Sequence, residues 1–155
     1  MKINKLALLF IPFLVACSTN NKEYDGEKIT LEYAENAGLI ETTPEELYNI
    51  AKTKLAGSVF LIGDESCSSC LTLKNSMEAW AYHYHANLYY LPIKNITTDN
   101  VHYIVDATPG YYQYEEGEAV PITYFFMMGE VALKGNEETT ITYLNRYVTV
   151  LVKPT

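Results

Sequence analysis

Two cysteines stand three positions apart in Cys67-Ser68-Ser69-Cys70, directly after the apolar run Val59-Phe60-Leu61-Ile62 and the polar turn Gly63-Asp64-Glu65-Ser66. Cysteines at this spacing can cycle between dithiol and disulfide, supply half of a metal site, or staple the chain. As a staple they close a very small loop, which restricts the unfolded chain far less than a bridge over a long one, so a purely structural role is poorly motivated. The metal reading has some support, because Cys67-x2-Cys70-x12-His83 matches the first three ligands of a zinc-finger pattern. Only Tyr84 separates His83 from His85, however, where three to five residues are usual. Along one continuous helix the thirteen residues from Cys70 to His83 would span roughly 20 Å, far beyond a shared ion. No metal is expected.

The redox reading needs a helix beginning at the cysteines. Leu73, Met77, Trp80, Ala81 and Tyr84 recur at the spacing of one helix face, which places the pair at the helix start. There the unpaired N–H groups and the positive end of the helix dipole stabilise a thiolate, the only form that attacks a disulfide. Cys67 is then the expected nucleophile, and Cys70, one turn later, the thiol that resolves the mixed disulfide.

The surrounding elements follow from periodicity. Thr42-Thr43-Pro44-Glu45-Glu46 offers a Thr cap, Pro at the first helical position and a Glu at the third, and Leu47, Ile50, Ala51 and Leu55 continue at helical spacing. Ser58–Ile62 and Leu88–Ile93 are expected as buried strands, the second ending or bulging at Pro92. Thr98–Val105 reads as a short helix. Ile122–Met127 and Glu130–Lys134 form a hairpin across Met128-Gly129, and a last helical pattern runs from Asn136 through Ile141, Leu144, Tyr147 and Val148. A weak extra strand is possible near Ile29–Tyr33. The order implies one small α/β domain with a central mixed β-sheet flanked by helices. Its 155 residues, 48% hydrophobic, suffice for one core and not for two.

The N-terminus reads as an address. Met1-Lys2-Ile3-Asn4-Lys5 is a positive n-region, and Leu6–Val15 is apolar but too short to span a bilayer as a mature helix. The segment closes with Leu14-Val15-Ala16-Cys17, which resembles the bacterial lipobox. That resemblance implies cleavage before Cys17 and a diacylglyceryl, palmitate-bearing anchor on its sulfur. The expected organisation is therefore a signal peptide over 1–16, the lipidated Cys17 and a polar flexible tether over 17–30, and the domain over 31–155. Lipidation would leave Cys67 and Cys70 as the only thiols. Loss of residues 1–16 removes Lys2 and Lys5 and moves the net charge from −8 to −10. Such a domain is repelled by an anionic membrane and depends on its lipid for attachment. With 11 basic against 19 acidic residues and no basic stripe, nucleic acid is excluded as a partner.

Over roughly residues 40–150 the chain resembles the thioredoxin superfamily. The resemblance rests on the apolar strand leading into Cys67-Ser68-Ser69-Cys70, on Ala119-Val120-Pro121-Ile122-Thr123 at the place of the family's cis-proline segment, and on the hairpin Tyr124–Val131 that follows. The run Ile62–Cys67 is similar to exported thioredoxin-like lipoproteins of Gram-positive bacteria, including bacteriocin-accessory types. The chain is also lean in arginine and rich in Asn, Ile, Lys and Tyr, which agrees with a low-GC source. The resemblance implies a thioredoxin-like fold and a cis bond at Val120–Pro121 that presents the Val120 backbone to an extended substrate peptide. The chain departs from the family pattern at Ser66, where a Trp is common, at Ser68-Ser69 in place of Gly-Pro, and at Leu61, where many members bury an Asp.

The expected function is an extracytoplasmic, membrane-anchored thiol–disulfide oxidoreductase acting on exported proteins. It needs no cofactor beyond its own dithiol, although a membrane electron donor or acceptor is a possible partner. Its direction of electron flow is open. The alternative is a binding or accessory lipoprotein of the same fold, serving bacteriocin export or surface assembly, in which the disulfide is inert. Of the fourteen tyrosines, seven cluster at Tyr82, Tyr84, Tyr89 and Tyr90 and at Tyr111, Tyr112 and Tyr114. They are read as residues capping the edges of the core, with the second cluster a candidate wall of a peptide groove.

Overall fold

The structure is a computed structural model that describes residues 23–113 and 119–155. The expected signal peptide over 1–16, Cys17 and Tyr114 lie outside the described residues. The central strand explains the layering. β3 (Ser58–Gly63) is buried along its whole length, as the continuous apolar run requires of a strand covered on both faces. Its side chains alternate, so Val59 and Leu61 enter one core and Phe60 and Ile62 the other.

The first core is closed by α2 (Ser68–Tyr84) and α4 (Thr140–Tyr147), through Leu73, Met77, Trp80, Ala81 and Leu144. The second is closed by α1 (Pro44–Thr53) and α3 (Val101–Ala107), through Leu47, Ala51, Ile104 and Ala107. Between them lies a five-stranded mixed sheet in the order β2-β4-β3-β5-β6, with β2 (Gly38–Glu41) and β4 (Asn87–Pro92) parallel to β3. β5 (Ile122–Met127) pairs antiparallel with β3, and β6 (Glu130–Gly135) antiparallel with β5. Met128 and Gly129, with φ of 54° and 82°, make the tight turn between these last two strands. This is the expected α/β architecture.

Local signals account for the helix starts. At α1 the Thr43 hydroxyl accepts from Glu46 N at 3.3 Å while Glu46 Oε2 accepts from Thr43 N at 2.9 Å, a reciprocal cap with Pro44 in the first turn. The helix ends at Thr53, so Leu55 is not on its buried face as the spacing suggested; it is 92% exposed in the loop that follows. The final helix likewise stops at Tyr147. Val148 opens a short strand, β7 (Val148–Val150), which pairs parallel with β1 (Ile29–Leu31) as a separate two-stranded sheet. The described secondary structure thus begins at Ile29. Before it, Tyr24 packs edge-on against Tyr147 at 5.2 Å and Glu23 pairs with Arg146.

β1 reaches the base of the central strand at Gly57, whose N–H donates to Thr30 O at 2.7 Å. A Cβ at Gly57 would stand 2.5 Å from Ile29 Cγ2 and 3.1 Å from Phe126 O, leaving no room on either side. Gly57→Ala is expected to cost about 1–3 kcal/mol in urea unfolding, from overpacking against backbone that cannot yield.

Candidate active site

α2 begins where the sequence places the cysteines, and Cys67 is its N-cap. The cap side chain here is a sulfur instead of the usual oxygen: Cys67 Sγ accepts from Cys70 N at 3.2 Å, taking one of the helix's unpaired donors. Ser69 Oγ lies 3.1 Å from the same sulfur, and its hydroxyl donates when the sulfur is a thiolate. The Cys70 thiol also donates to it, with the two sulfurs 2.6 Å apart. Both are free thiols.

The two sulfurs are electrostatically unlike. The Cys67 thiol is held below its ordinary range, first by the Cys70 thiol, then by the Ser69 hydroxyl and the Cys70 N–H, all of which stabilise negative sulfur. The first turn of α2 holds no acidic residue to oppose this. Cys70 is 1% exposed, and its thiol is pushed up to about 11, foremost by burial and further by the neighbouring Cys67 and the charge of Asp64. One sulfur is thus partly exposed and ionises more readily than an ordinary thiol; the other is buried and holds its proton more tightly.

The two carboxylates just ahead of the pair are both occupied. Asp64 Oδ1 accepts from Ser66 N at 2.9 Å, which lowers its own pKa, while its carbonyl accepts from Cys67 N at 3.1 Å and sets the turn into the helix. Glu65 pairs with Lys94 at 3.1 Å across the exposed rim.

Beneath Cys70 lies a residue that the sequence analysis grouped only with the tyrosines at the edges of the core. Tyr90 on β4 is the register partner of Leu61 on β3, and it is buried. A Cβ placed on Gly63 would meet Tyr90 Cε2 at 3.3 Å, Cys70 Cβ at 3.4 Å and Cys70 Sγ at 3.7 Å, so ring and thiol converge on one glycine. The Tyr90 hydroxyl donates to Gly63 O at 3.4 Å, and burial, aided by the charges of Glu65, Cys70 and Asp64, pushes its pKa up to about 12. Lys74 Nζ sits 4.4 Å from the centre of the same ring. Where many relatives of the resembled family carry a buried carboxylate, this chain has Leu61, a neutral phenol and a cation. Lys74 was legible in principle, being one helical turn beyond Cys70; Tyr90 was not, since it arrives through the β3–β4 register.

Val120 and Pro121 come to the same end of the sheet. Ile122 pairs with Ile62, which brings Pro121 beside the turn that leads to Cys67, and the Val120–Pro121 bond is cis. Of the tyrosines, Tyr89 and Tyr90 are buried, Tyr82, Tyr84 and Tyr111 are exposed, and Tyr112 packs against the second core. His83 and His85 are exposed at the far end of α2. No group of three metal-ligating side chains occurs among the described residues.

Ser69 gives a direct test of the cap. Ser69→Ala is expected to raise the midpoint of Cys67 alkylation by iodoacetamide while leaving the Cys70 N–H contact intact; an unchanged midpoint would remove Ser69 from thiolate stabilisation.

No protein-family model and no curated protein matches the sequence. Among solved structures the chain is similar to one described as a putative oxidoreductase with a thioredoxin fold, at 15% identity and a TM-score of 0.56, over 70% of this chain and 92% of that one. It is also similar to oxidized thioredoxin O1 from Arabidopsis thaliana, at 18% identity and a TM-score of 0.51, over 71% and 98% of the two chains. The N21Q mutant thioredoxin from Halobacterium salinarum aligns at 15% identity and 0.52, over 75% and 95%. At these identities the likeness is one of architecture, and it agrees with the sheet order and helix placement described above. The chain has the thioredoxin fold.

Proposed function

We propose that this chain is an extracytoplasmic, lipid-anchored thiol–disulfide oxidoreductase that acts on exported proteins through Cys67 and Cys70. The observation that carries the reading is the asymmetry of the pair: a partly exposed, stabilised Cys67 sulfur at a helix N-terminus, backed by a buried, protonated Cys70 2.6 Å away.

In the reductive direction the Cys67 thiolate attacks one sulfur of a client disulfide. A Cys67–client disulfide forms, and the other client sulfur leaves as a thiolate that takes up a proton. Cys70 then loses its proton and attacks Cys67 Sγ, forming the Cys67–Cys70 disulfide and releasing the second client thiolate. Two electrons have passed from the dithiol to the client. The reverse sequence installs a disulfide in the client. In either direction the Val120 backbone, beside Pro121, pairs with the extended client segment.

The lipid on Cys17 keeps the domain at the outer face of the membrane, as the lipobox resemblance implies. Anchoring is tested by metabolic labelling with palmitate, which Cys17→Ala should abolish.

Redox titration of the chain from Ser18 onward, against glutathione and dithiothreitol buffers, tests the activity. A potential near about −120 mV identifies an oxidant and one near about −270 mV a reductant. A pair that resists reduction in the native state overturns the proposal in favour of a binding module.

A further inference from the structure

We propose that the pole of the domain opposite Cys67 and Cys70 is a bilayer-facing surface, whose exposed apolar loop tips insert among the lipids and hold the dithiol away from the membrane. The inference rests on the lipid-anchor reading for its biological setting, but the surface itself is built from described residues.

The poles follow from topology. β3 runs from Ser58 to Gly63, and Cys67 follows its far end, so the loop containing Leu55 lies roughly 20 Å from the dithiol turn. Phe126 pairs with Ser58, which brings the Met128–Gly129 hairpin turn to the Leu55 end, where Lys52 Nζ donates to Gly129 O at 2.7 Å. The chain leaving β7 arrives there too, with Leu151 N donating to Leu31 O at 2.9 Å.

Three separate segments therefore present apolar tips at one end. Leu55 is 92% exposed, Met128 74%, Leu151 51% and Val152 89%. Leu55, Met128 and Leu151 line a single hollow of about 350 Å³. Single exposed apolar side chains are commonplace, but tips from three loops converging on one hollow form a surface that water solvates poorly.

The chain itself indicates what covers this surface. Glu27 and Lys28 border the same hollow, so the segment leading from the proposed anchor leaves the domain at this pole. From Glu23 onward that segment is held to the body by Arg146 and Tyr147. Only six residue steps separate Glu23 from Cys17, a reach of at most about 20 Å even when fully extended. An acyl group on Cys17 would hold this pole, and not the dithiol, against the bilayer. A net charge of −10 gives no electrostatic attraction to an anionic surface, so apolar insertion is the remaining contribution of the protein to its own orientation.

The test separates the surface from the anchor. The chain from Ser18 onward, which retains every described element, is tethered by an N-terminal histidine tag to vesicles of phosphatidylcholine with a minority of phosphatidylglycerol and nickel-chelating lipid. Tryptophan is introduced as Leu55→Trp, Met128→Trp or Ile93→Trp, the last at the dithiol pole, with the buried Trp80 as constant background. Brominated lipids are expected to quench, and the bilayer to blue-shift, the reporters at 55 and 128 and to leave that at 93 unaffected. Leu151→Trp should be quenched likewise, and should lose that quenching when combined with Leu55→Asp and Met128→Asp, substitutions of exposed side chains that leave both cores intact.

Equal quenching at both poles, or at neither, would overturn the proposal. So would a blue shift at 55 and 128 that is complete without vesicles and grows with protein concentration, which would mark a second copy as the occupant. If Cys17→Ala leaves the full chain's membrane fractionation unchanged in cells, the lipid-anchor reading fails, while the tethered measurement still decides whether this pole binds a bilayer.

Discussion

Cys67→Ala is expected to abolish turnover with a protein disulfide, whereas Cys70→Ala is expected to attack once and remain joined to its client. The two outcomes differ because the sulfurs differ in access and in charge. Cys70 is almost wholly buried and its thiol is pushed up to about 11, so at neutral pH it offers a client neither a reachable nor an ionised sulfur. Its chemistry begins only after Cys67 carries a mixed disulfide, because then the electrophilic sulfur lies beside it. Without Cys67 no first bond forms. Without Cys70 the first bond forms and nothing within the domain breaks it. Insulin reduction followed by turbidity measures the first loss, and non-reducing electrophoresis the trapped adduct. Full turnover by Cys67→Ala, or rapid release of client by Cys70→Ala, would contradict the assigned roles. A Cys70→Ala protein should also have a less acidic Cys67 than the parent, since the largest contribution holding that thiol low is the hydrogen bond from Cys70.

How much of this arrangement was legible in the sequence depends on how local its causes are. The start of α2 at the cysteines, the Thr43–Glu46 cap and the Met128–Gly129 turn are written in neighbouring residues, and the structure has all three. β2 escaped notice because it is a four-residue edge strand with only Gly38 fully buried, too short to show an alternation. The end of α4 misled for the opposite reason. Tyr147 and Val148 continue the helical spacing, but Val148-Thr149-Val150 is a β-branched run that finds its partner in β1, more than one hundred residues earlier. A tertiary partner at that separation leaves no trace in a local window.

The site divides along the same line. Cys67, Cys70 and Ser69 sit within one helical turn and could be named together. Asp64 and Glu65 lie just ahead of Cys67, where a free carboxylate would oppose its thiolate, yet Asp64 folds back on Ser66 N and Glu65 meets Lys94 from the loop after β4. Tyr90 reaches Cys70 only because Leu61 and Tyr90 are register partners, and a one-residue slip would have turned it to the other core. Leu61 alone suggested an empty place where a carboxylate is often found. The ring of Tyr90, with Lys74 Nζ 4.4 Å from its centre, lies against Cys70 there, so a neutral phenol instead of a buried acid backs the thiol.

Alkaline solution should expose this difference as a loss of stability confined to the reduced protein. Cys70 has a folded pKa of about 11 against an ordinary value of 9.0, so the folded state favours the protonated thiol. Its contribution to stability is complete below the unfolded value and is lost as pH rises from about 9 to 11, by about 2–3 kcal/mol at most for a shift of this size. Cys67 works in the opposite sense. Its lowered pKa gives a contribution that is complete above the unfolded value and is lost as pH falls through the folded one, so it does not add to the alkaline loss. The oxidised protein has no thiol to titrate at either position. Tyr90, pushed up from an ordinary 10 to about 12, loses its own contribution from about pH 10 upward in both redox forms, so the part due to its burial cancels in their difference, while the part due to the Cys70 charge belongs to the Cys70 effect and is absent from the control. Urea unfolding of the reduced and oxidised proteins across this range, with reduced Cys70→Ser as the control, should show a reduced-state decline that the control lacks. Parallel curves for reduced, oxidised and control proteins would mean that Cys70 ionises as readily in the fold as out of it, and the proposed division of labour between the two sulfurs would then lose its physical basis.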